Sequence, residues 1–241
     1  MNENNNRKIK VILTGATGMV GEGVLNECLL SDKVEQVLVV GRKSCGVSHP
    51  KLKEMVVSDF FDLFAVGNPS VDNPAGYNPA IASQLSGYNA CYFCLGVSSL
   101  SFKGDEYYKI TYTLTMGFAG MVSALNPDMT FCYVAGAGTD GTEKGSITWA
   151  RVKGKTENDL TKLPFKQVFN YRPGFINPTK GLKNALSFYK YITWMYPVMR
   201  KLFPGGVSTL KELGLSMINV TLNGYNKTVL DVKDIVKSAA I

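Results

Sequence analysis

A chain of 241 residues with 45% hydrophobic content can bury one sizeable core, while the lack of any run of about 18 apolar residues and the polar start MNENNNRKIK argue against a membrane span or a signal peptide. Five cysteines without an export signal set the expectation of a cytoplasmic protein with free thiols, and the single histidine, His49, leaves no material for a Ser/His/Asp triad or a histidine metal site. The formal charge of +7 suits an anionic ligand, but the lysines are scattered rather than gathered in a stripe, which argues against nucleic acid.

The first predicted element is a β-rich run, KIKVIL at Lys8–Leu13, followed by the loop TGATGMVG and an amphipathic helix over Met19–Leu30. The run QVLVV at Gln36–Val40 completes a βαβ unit. Further strands are expected at Glu54–Val57, Ala90–Leu95, Thr130–Val134 and Gln167–Tyr171, with helix-compatible stretches between most of them. This alternation predicts an α/β fold, a doubly wound parallel sheet covered by helices on both faces. The chain reads as a single domain, residues 1–241, in which 177–225 are expected mainly as a small C-terminal extension of cap segments on the substrate side. The stretch Val66–Asn89, with Pro69, Pro74 and Pro79, is expected to be irregular. Lys183–Phe203 is aromatic and amphipathic, with Pro197 expected to end or kink any helix there.

In the loop, Gly15, Gly18 and Gly21 each have a task. Gly15 turns the chain, Gly18 lets the backbone approach a pyrophosphate, and Gly21 lets the helix pack close to the strand. Thr17, Met19 and Val20 share the turn whose N–H groups would face the phosphates. The next strand ends in VVGRK, with Arg42 where NAD-specific proteins place an acid. Arg42 and Lys43 could therefore hold the 2′-phosphate of NADP, or be ordinary surface cations. Asp59, beside Phe60, is placed to accept from an adenine amino group or to serve as a turn acid. Cys91 and Cys94 read CxxC but fall in ACYFCLG, a predicted buried strand, so neither redox chemistry nor a metal site is expected.

The motifs TGATGMVG, VVGRK, FCLG, VKGKTE and YRPG make the chain similar to the short-chain dehydrogenase/reductase superfamily. Within it, the sequence resembles the atypical and extended branch, that is, NAD-dependent epimerase/dehydratase-like proteins and Tat-interacting-protein-like reductases. The resemblance implies a Rossmann NAD(P)-binding domain with NADP as cofactor, NAD being the other dinucleotide it allows. It also implies a small-molecule substrate, Leu95 and Gly96 on the nicotinamide side together with Arg172, Pro173 and Gly174, and a homodimer as one assembly the superfamily uses. Proteins of this kind use a tyrosine as acid, a lysine four residues later on the nicotinamide ribose, and a serine or threonine near the fifth strand. Here Lys153 matches, Trp149 stands at the tyrosine position, and Ala135 or Gly136 at the serine position.

Indole N–H donates a hydrogen bond but does not release its proton, so Trp149 cannot act as general acid. The substitute donors in view are Tyr107, Tyr108 and Tyr112 in DEYYKITYTLT, the nearby Thr139, and Lys153 itself if burial depresses its pKa. Two readings stay open: an NADP-dependent oxidoreductase or epimerase-like enzyme acting on an apolar carbonyl or hydroxyl compound, or a dinucleotide-binding sensor without turnover. A third, minor reading takes Tyr189–Phe203 (YKYITWMYPVMRKLF) as an interfacial membrane helix and is the least favoured, because such stripes are more often core or substrate cover.

Overall fold

The computed structural model describes residues 8–65, 76–184 and 193–241. Its centre is a seven-stranded parallel sheet built from β1 (Ile9–Thr14), β2 (Val34–Gly41), β3 (Leu52–Val56), β4 (Ala90–Phe93), β5 (Thr130–Val134), β6 (Gln167–Tyr171) and β9 (Val229–Leu230), in the order β3-β2-β1-β4-β5-β6-β9. Two further strands, β7 (Phe175–Asn177) and β8 (Val207–Thr209), pair separately in parallel. The helices are α1 (Met19–Leu30), α2 (Pro79–Leu85), α3 (Gly104–Tyr108), α4 (Leu114–Leu125), α5 (Thr148–Leu160), α6 (Tyr196–Leu202), α7 (Leu210–Asn223) and α8 (Val232–Ala239). A π-helical turn, Lys109–Thr113, makes α3 and α4 one continuous rod.

The inner strands are mostly apolar because both faces of a parallel sheet are covered, whereas the edge strand β3 leaves Lys53, Glu54 and Val56 exposed. In β1, Val11 and Leu13 join Val24 and Leu25 of α1 and Leu213 and Met217 of α7 on one face. Ile12 points the other way, into a layer with Phe93, Phe118, Phe131 and Leu160. Complete burial of side chains of this size contributes roughly 1.5–3 kcal/mol each.

Two expectations about the carboxy-terminal third give way to the structure. Helix α7, expected among the substrate-side cap segments of 177–225, lies instead against α1 on the sheet, where Leu210, Leu213, Met217 and Val220 are fully buried. Its start is fixed by a capping box between Thr209 and Glu212. Pro197 stands at the start of a helix rather than at its end: a 3-10 turn, Thr193–Met195, stops just before it, and the proline sits in the first turn of α6, where a missing N–H leaves no intrahelical bond unmade. The remainder of Lys183–Phe203 falls partly outside the described residues, as does Val66–Ala75 of the stretch expected to be irregular. No described helix is long and apolar enough to cross a membrane.

The strand order reverses between β1 and β4, both of which pair with their neighbours through to Thr14 and Phe93 at their carboxyl ends. A crevice outside that reversal is where open α/β sheets place their ligands.

Candidate functional site

The crevice is a cleft of about 880 Å³. Its floor is the glycine turn. Gly15 has φ +75°, and a side chain on it would stand 2.7 Å from the Cys94 carbonyl, so only glycine lets β1 turn beneath the end of β4. A Cβ on Gly21 would lie 2.2 Å from the Gly15 oxygen, which is the close packing of helix on turn expected of the third glycine. Gly18 is the N-cap of α1 and offers no side chain to cap it, so the N–H groups of that first turn are left for a ligand.

Of the residues singled out in the sequence, Gly15, Thr17, Gly18, Arg42, Lys43, Asp59, Phe60, Leu95 and Gly96 line this one cleft. Met19, Val20 and Gly21 stand behind it in the start of α1. Arg42 and Lys43 are exposed at the end of β2 and make no ion pair with another described residue. The strand-end loop beside them is held by Glu54, which accepts from the Ser44 hydroxyl at 2.8 Å and from the Cys45 N–H at 2.7 Å. Asp59 caps the turn at Phe60–Leu63 by accepting from Phe61 N–H at 3.0 Å through Oδ1.

The helix after β4 was expected to border the pocket, but not through these residues: Glu106, Ile110 and Leu114 of the rod form the far wall, with Phe102 from the loop just before it, and the spacing of four is the sequence signal that puts the three rod residues on one side. Cys94 also faces the cleft, with its thiol pushed up to about 12 by burial, which keeps it protonated and unreactive.

Lys153 and Trp149 sit one turn apart on α5. Lys153 donates to the Ala135 carbonyl at the end of β5, and burial pulls its pKa down to about 8, opposed by the Glu157 carboxylate. Trp149 lays its ring over Gly138, whose Cβ would meet it at 3.3 Å.

Three of the other catalytic candidates, Tyr107, Thr139 and Tyr112, are occupied. Tyr107 is buried, burial raises its pKa, and its hydroxyl bonds to Thr111. Thr139 is buried and donates to Gly136 O at 2.8 Å. Tyr112 donates to Asp159 at 2.8 Å, with the Lys155 ammonium 4.9 Å from its ring centre. Tyr108 lies exposed against Tyr112.

Arg172 and Pro173, expected beside nicotinamide, are not in the cleft lining. Arg172 pairs through Nε and Nη2 with Glu157, a carboxylate buried inside α5, and this pairing consumes its fork of donors. Pro173 gives its carbonyl to Ala137 N–H at 3.0 Å. Both residues support the turn after β5 from behind. The sequence held no sign of the Glu157 partnership, which exists only once β6 lies beside α5.

Fold and cleft together define a doubly wound α/β domain with a crevice at the strand-order reversal, an architecture similar to that of short-chain dehydrogenases and related epimerases. A short-chain dehydrogenase family protein from Francisella tularensis superposes with a TM-score of 0.60 at 12% identity, covering 90% of this chain and 92% of that one. Bordetella bronchiseptica WbmG, solved with NAD, gives 0.62 at 12% identity over 99% and 79% of the two chains. L-Sorbose reductase from Gluconobacter frateurii, solved with NADPH and L-sorbose, gives 0.57 at 12% identity over 95% and 97%. In sequence, the chain is similar to "Protein fmp52, mitochondrial" from Aspergillus clavatus, 28% identical over 170 residues; the match covers 69% of this chain and 66%, about two thirds, of the fungal protein. No protein-family model matches the chain.

Proposed function

We propose that this chain binds NADP and acts as an oxidoreductase, or as an epimerase-like enzyme that oxidises and re-reduces its substrate, on a small, largely apolar carbonyl or hydroxyl compound. The observation that carries the reading is the convergence, in one cleft at the strand-order reversal, of the glycine turn, the uncapped start of α1 and the two cations after β2 that make no ion pair among the described residues. The residues lining the cleft fit the cofactor, with turn and helix amides for the diphosphate, Arg42 and Lys43 for a 2′-phosphate and the Asp59 carboxylate for an adenine amino group, while Lys153, which is not in that lining and donates to the Ala135 carbonyl, would reach the nicotinamide ribose from α5. When bound, the dinucleotide supplies or accepts the hydride.

What remains for the protein is to orient the substrate, keep water out and manage one proton. Trp149 cannot give a proton, but its ring over Gly138 makes an apolar wall on the α5 side. Lys153, with a pKa of about 8, lies close enough to neutrality to hold or release a proton at Nζ. Calorimetry with NADPH and NADH, followed by turnover measured on a panel of ketones, aldehydes and enones, tests the proposal. NADPH binding with turnover that Lys153→Ala abolishes supports it; no heat with either nucleotide on folded protein removes it.

A second reading has its own observation. The hydroxyls of Thr139, Tyr107 and Tyr112 all have protein partners, as expected of a dinucleotide-binding sensor without turnover. Tight NADPH binding with no reaction across the panel, and a protein partner captured only with the nucleotide present, would favour it.

A further inference from the structure

The turn after β5 holds a peptide group that is prepared on one side and open on the other. The Ala135 carbonyl accepts from the Lys153 ammonium, and Ala135 N–H donates to Tyr171 O at 2.8 Å. The Gly136 carbonyl is taken by Thr139, through its N–H at 3.3 Å and its hydroxyl at 2.8 Å. The Gly136 N–H has no partner among the described residues, and a side chain built on Gly136 would meet nothing within 4 Å. The amide is thus left without a protein acceptor among the described residues at the carboxyl end of the sheet, three residues past Tyr133, whose register partner Phe93 leads into the cleft-lining Leu95 and Gly96; this is the position where the resemblance places a catalytic serine.

No described peptide bond is cis, so the Ala135 carbonyl and the Gly136 N–H, the two ends of one planar group, point in opposite directions. The N–H faces away from Lys153. A cation on the carbonyl draws electron density through the amide, and hydrogen bonds linked in a chain strengthen one another. With its own carbonyl held by Thr139 and φ at +138°, Gly136 is fixed in a conformation that side-chain-bearing residues rarely adopt. The donor is thus set in place before any ligand arrives, as stabilisation of a developing oxyanion requires.

We propose that the peptide between Ala135 and Gly136, polarised by Lys153, presents the Gly136 N–H as the hydrogen-bond donor to the substrate's carbonyl or alkoxide oxygen, in place of the absent serine hydroxyl. This rests on the dinucleotide reading above and adds the group that meets the substrate. It assigns Gly136 a contact and no proton transfer, and it gives Lys153 a second task beside ribose binding.

The test is amide-resolved NMR on the full chain saturated with dinucleotide. Two oxygen-bearing probes are added, isobutyramide to the NADPH form and 2,2,2-trifluoroethanol to the NADP+ form. The expected result is a downfield shift of the Gly136 amide proton with at least one probe, reduced in Lys153→Met and restored in Lys153→Arg, which keeps the charge. If NADPH displaces the Gly15 and Gly18 amides but neither probe moves Gly136, the proposal falls and the dinucleotide reading stands. An equal shift in Lys153→Met overturns the polarisation by Lys153. Gly15 and Gly18 amides that ignore NADPH remove both readings.

Discussion

Gly15 and Gly21 approach so closely that a Cβ on residue 21 would stand 2.2 Å from the carbonyl oxygen of Gly15, whereas one on Gly18 would keep an ordinary 3.4 Å from the same atom. The two glycines therefore answer differently to alanine. Gly21→Ala forces helix and turn apart, an overpacking cost of ~1–3 kcal/mol, visible as a lower urea midpoint. Gly18→Ala, at φ −104°, should leave stability within about 0.5 kcal/mol while weakening NADPH binding, because the methyl group occupies the approach to the phosphates. Equal destabilisation by both would show that the turn is wrongly described.

Arg42 and Lys43 border the cleft without an anionic partner of their own among the described residues. A hydrogen bond to a charged group contributes roughly 1.5–3 kcal/mol, so the Arg42→Ala/Lys43→Ala variant should lose about tenfold or more in NADPH affinity with little change for NADH. Calorimetric titration with the two nucleotides decides it. If both affinities fall together, the cations act on the diphosphate or on the general field rather than on the 2′-phosphate.

The sheet was legible from the sequence because the inner strands are mostly apolar runs between turn residues. β5 and β6 match the expected bounds, and β1 to β4 differ by one or two residues at one end or both: β2 runs longer than its apolar run, and β4 stops at Phe93, two residues short of the expected end. The cleft lining was legible wherever a backbone requirement writes itself as glycine, as at Gly15 and Gly21. What escaped were partnerships between distant segments. Glu157 and Arg172 are 15 residues apart, and nothing in either stretch announces that the carboxylate is buried and the guanidinium spent on it. Helix α7 is a different failure: the apolar spacing of Leu210, Leu213, Met217 and Val220 is readable as a core face, but its place after the substrate-side residues suggested a cap.

Lys153 carries a pH signature. Its pKa in the fold, about 8, lies below the ordinary 10.5 because burial disfavours the charged form. Between those values the unfolded chain binds a proton that the native chain lacks, so the stability contributed at this site rises with pH through that window, and the burial penalty is complete below it. Lys153→Met removes the penalty along with the hydrogen bond to Ala135. The melting temperature of the variant relative to the parent should therefore be more favourable at pH 7 than at pH 10.5. A difference that does not change with pH would mean the ammonium is solvated in the native state.

Glu22 lies in the first turn of α1, 9% exposed, and its two carboxylate oxygens accept from the main-chain N–H groups of Lys183 and Asn184, each at 2.7 Å. The helix that begins at the glycine turn is thereby fastened to a segment 161 residues further along the chain. Each of the two charge-assisted bonds is of the stronger kind, roughly 1.5–3 kcal/mol. Glu22→Ala removes both, and Glu22→Gln sets an NH2 group against one of the amides. Trypsin reports the result, since cleavage after Lys183 requires this backbone to leave its acceptor. Native-state cleavage there should accelerate about tenfold or more in Glu22→Ala, to a smaller extent in Glu22→Gln, while cleavage after Lys211 in α7 keeps the parent rate. Acceleration at both sites would mean that the substitution loosens the whole fold, and acceleration at neither would mean that the segment is held by something other than the carboxylate.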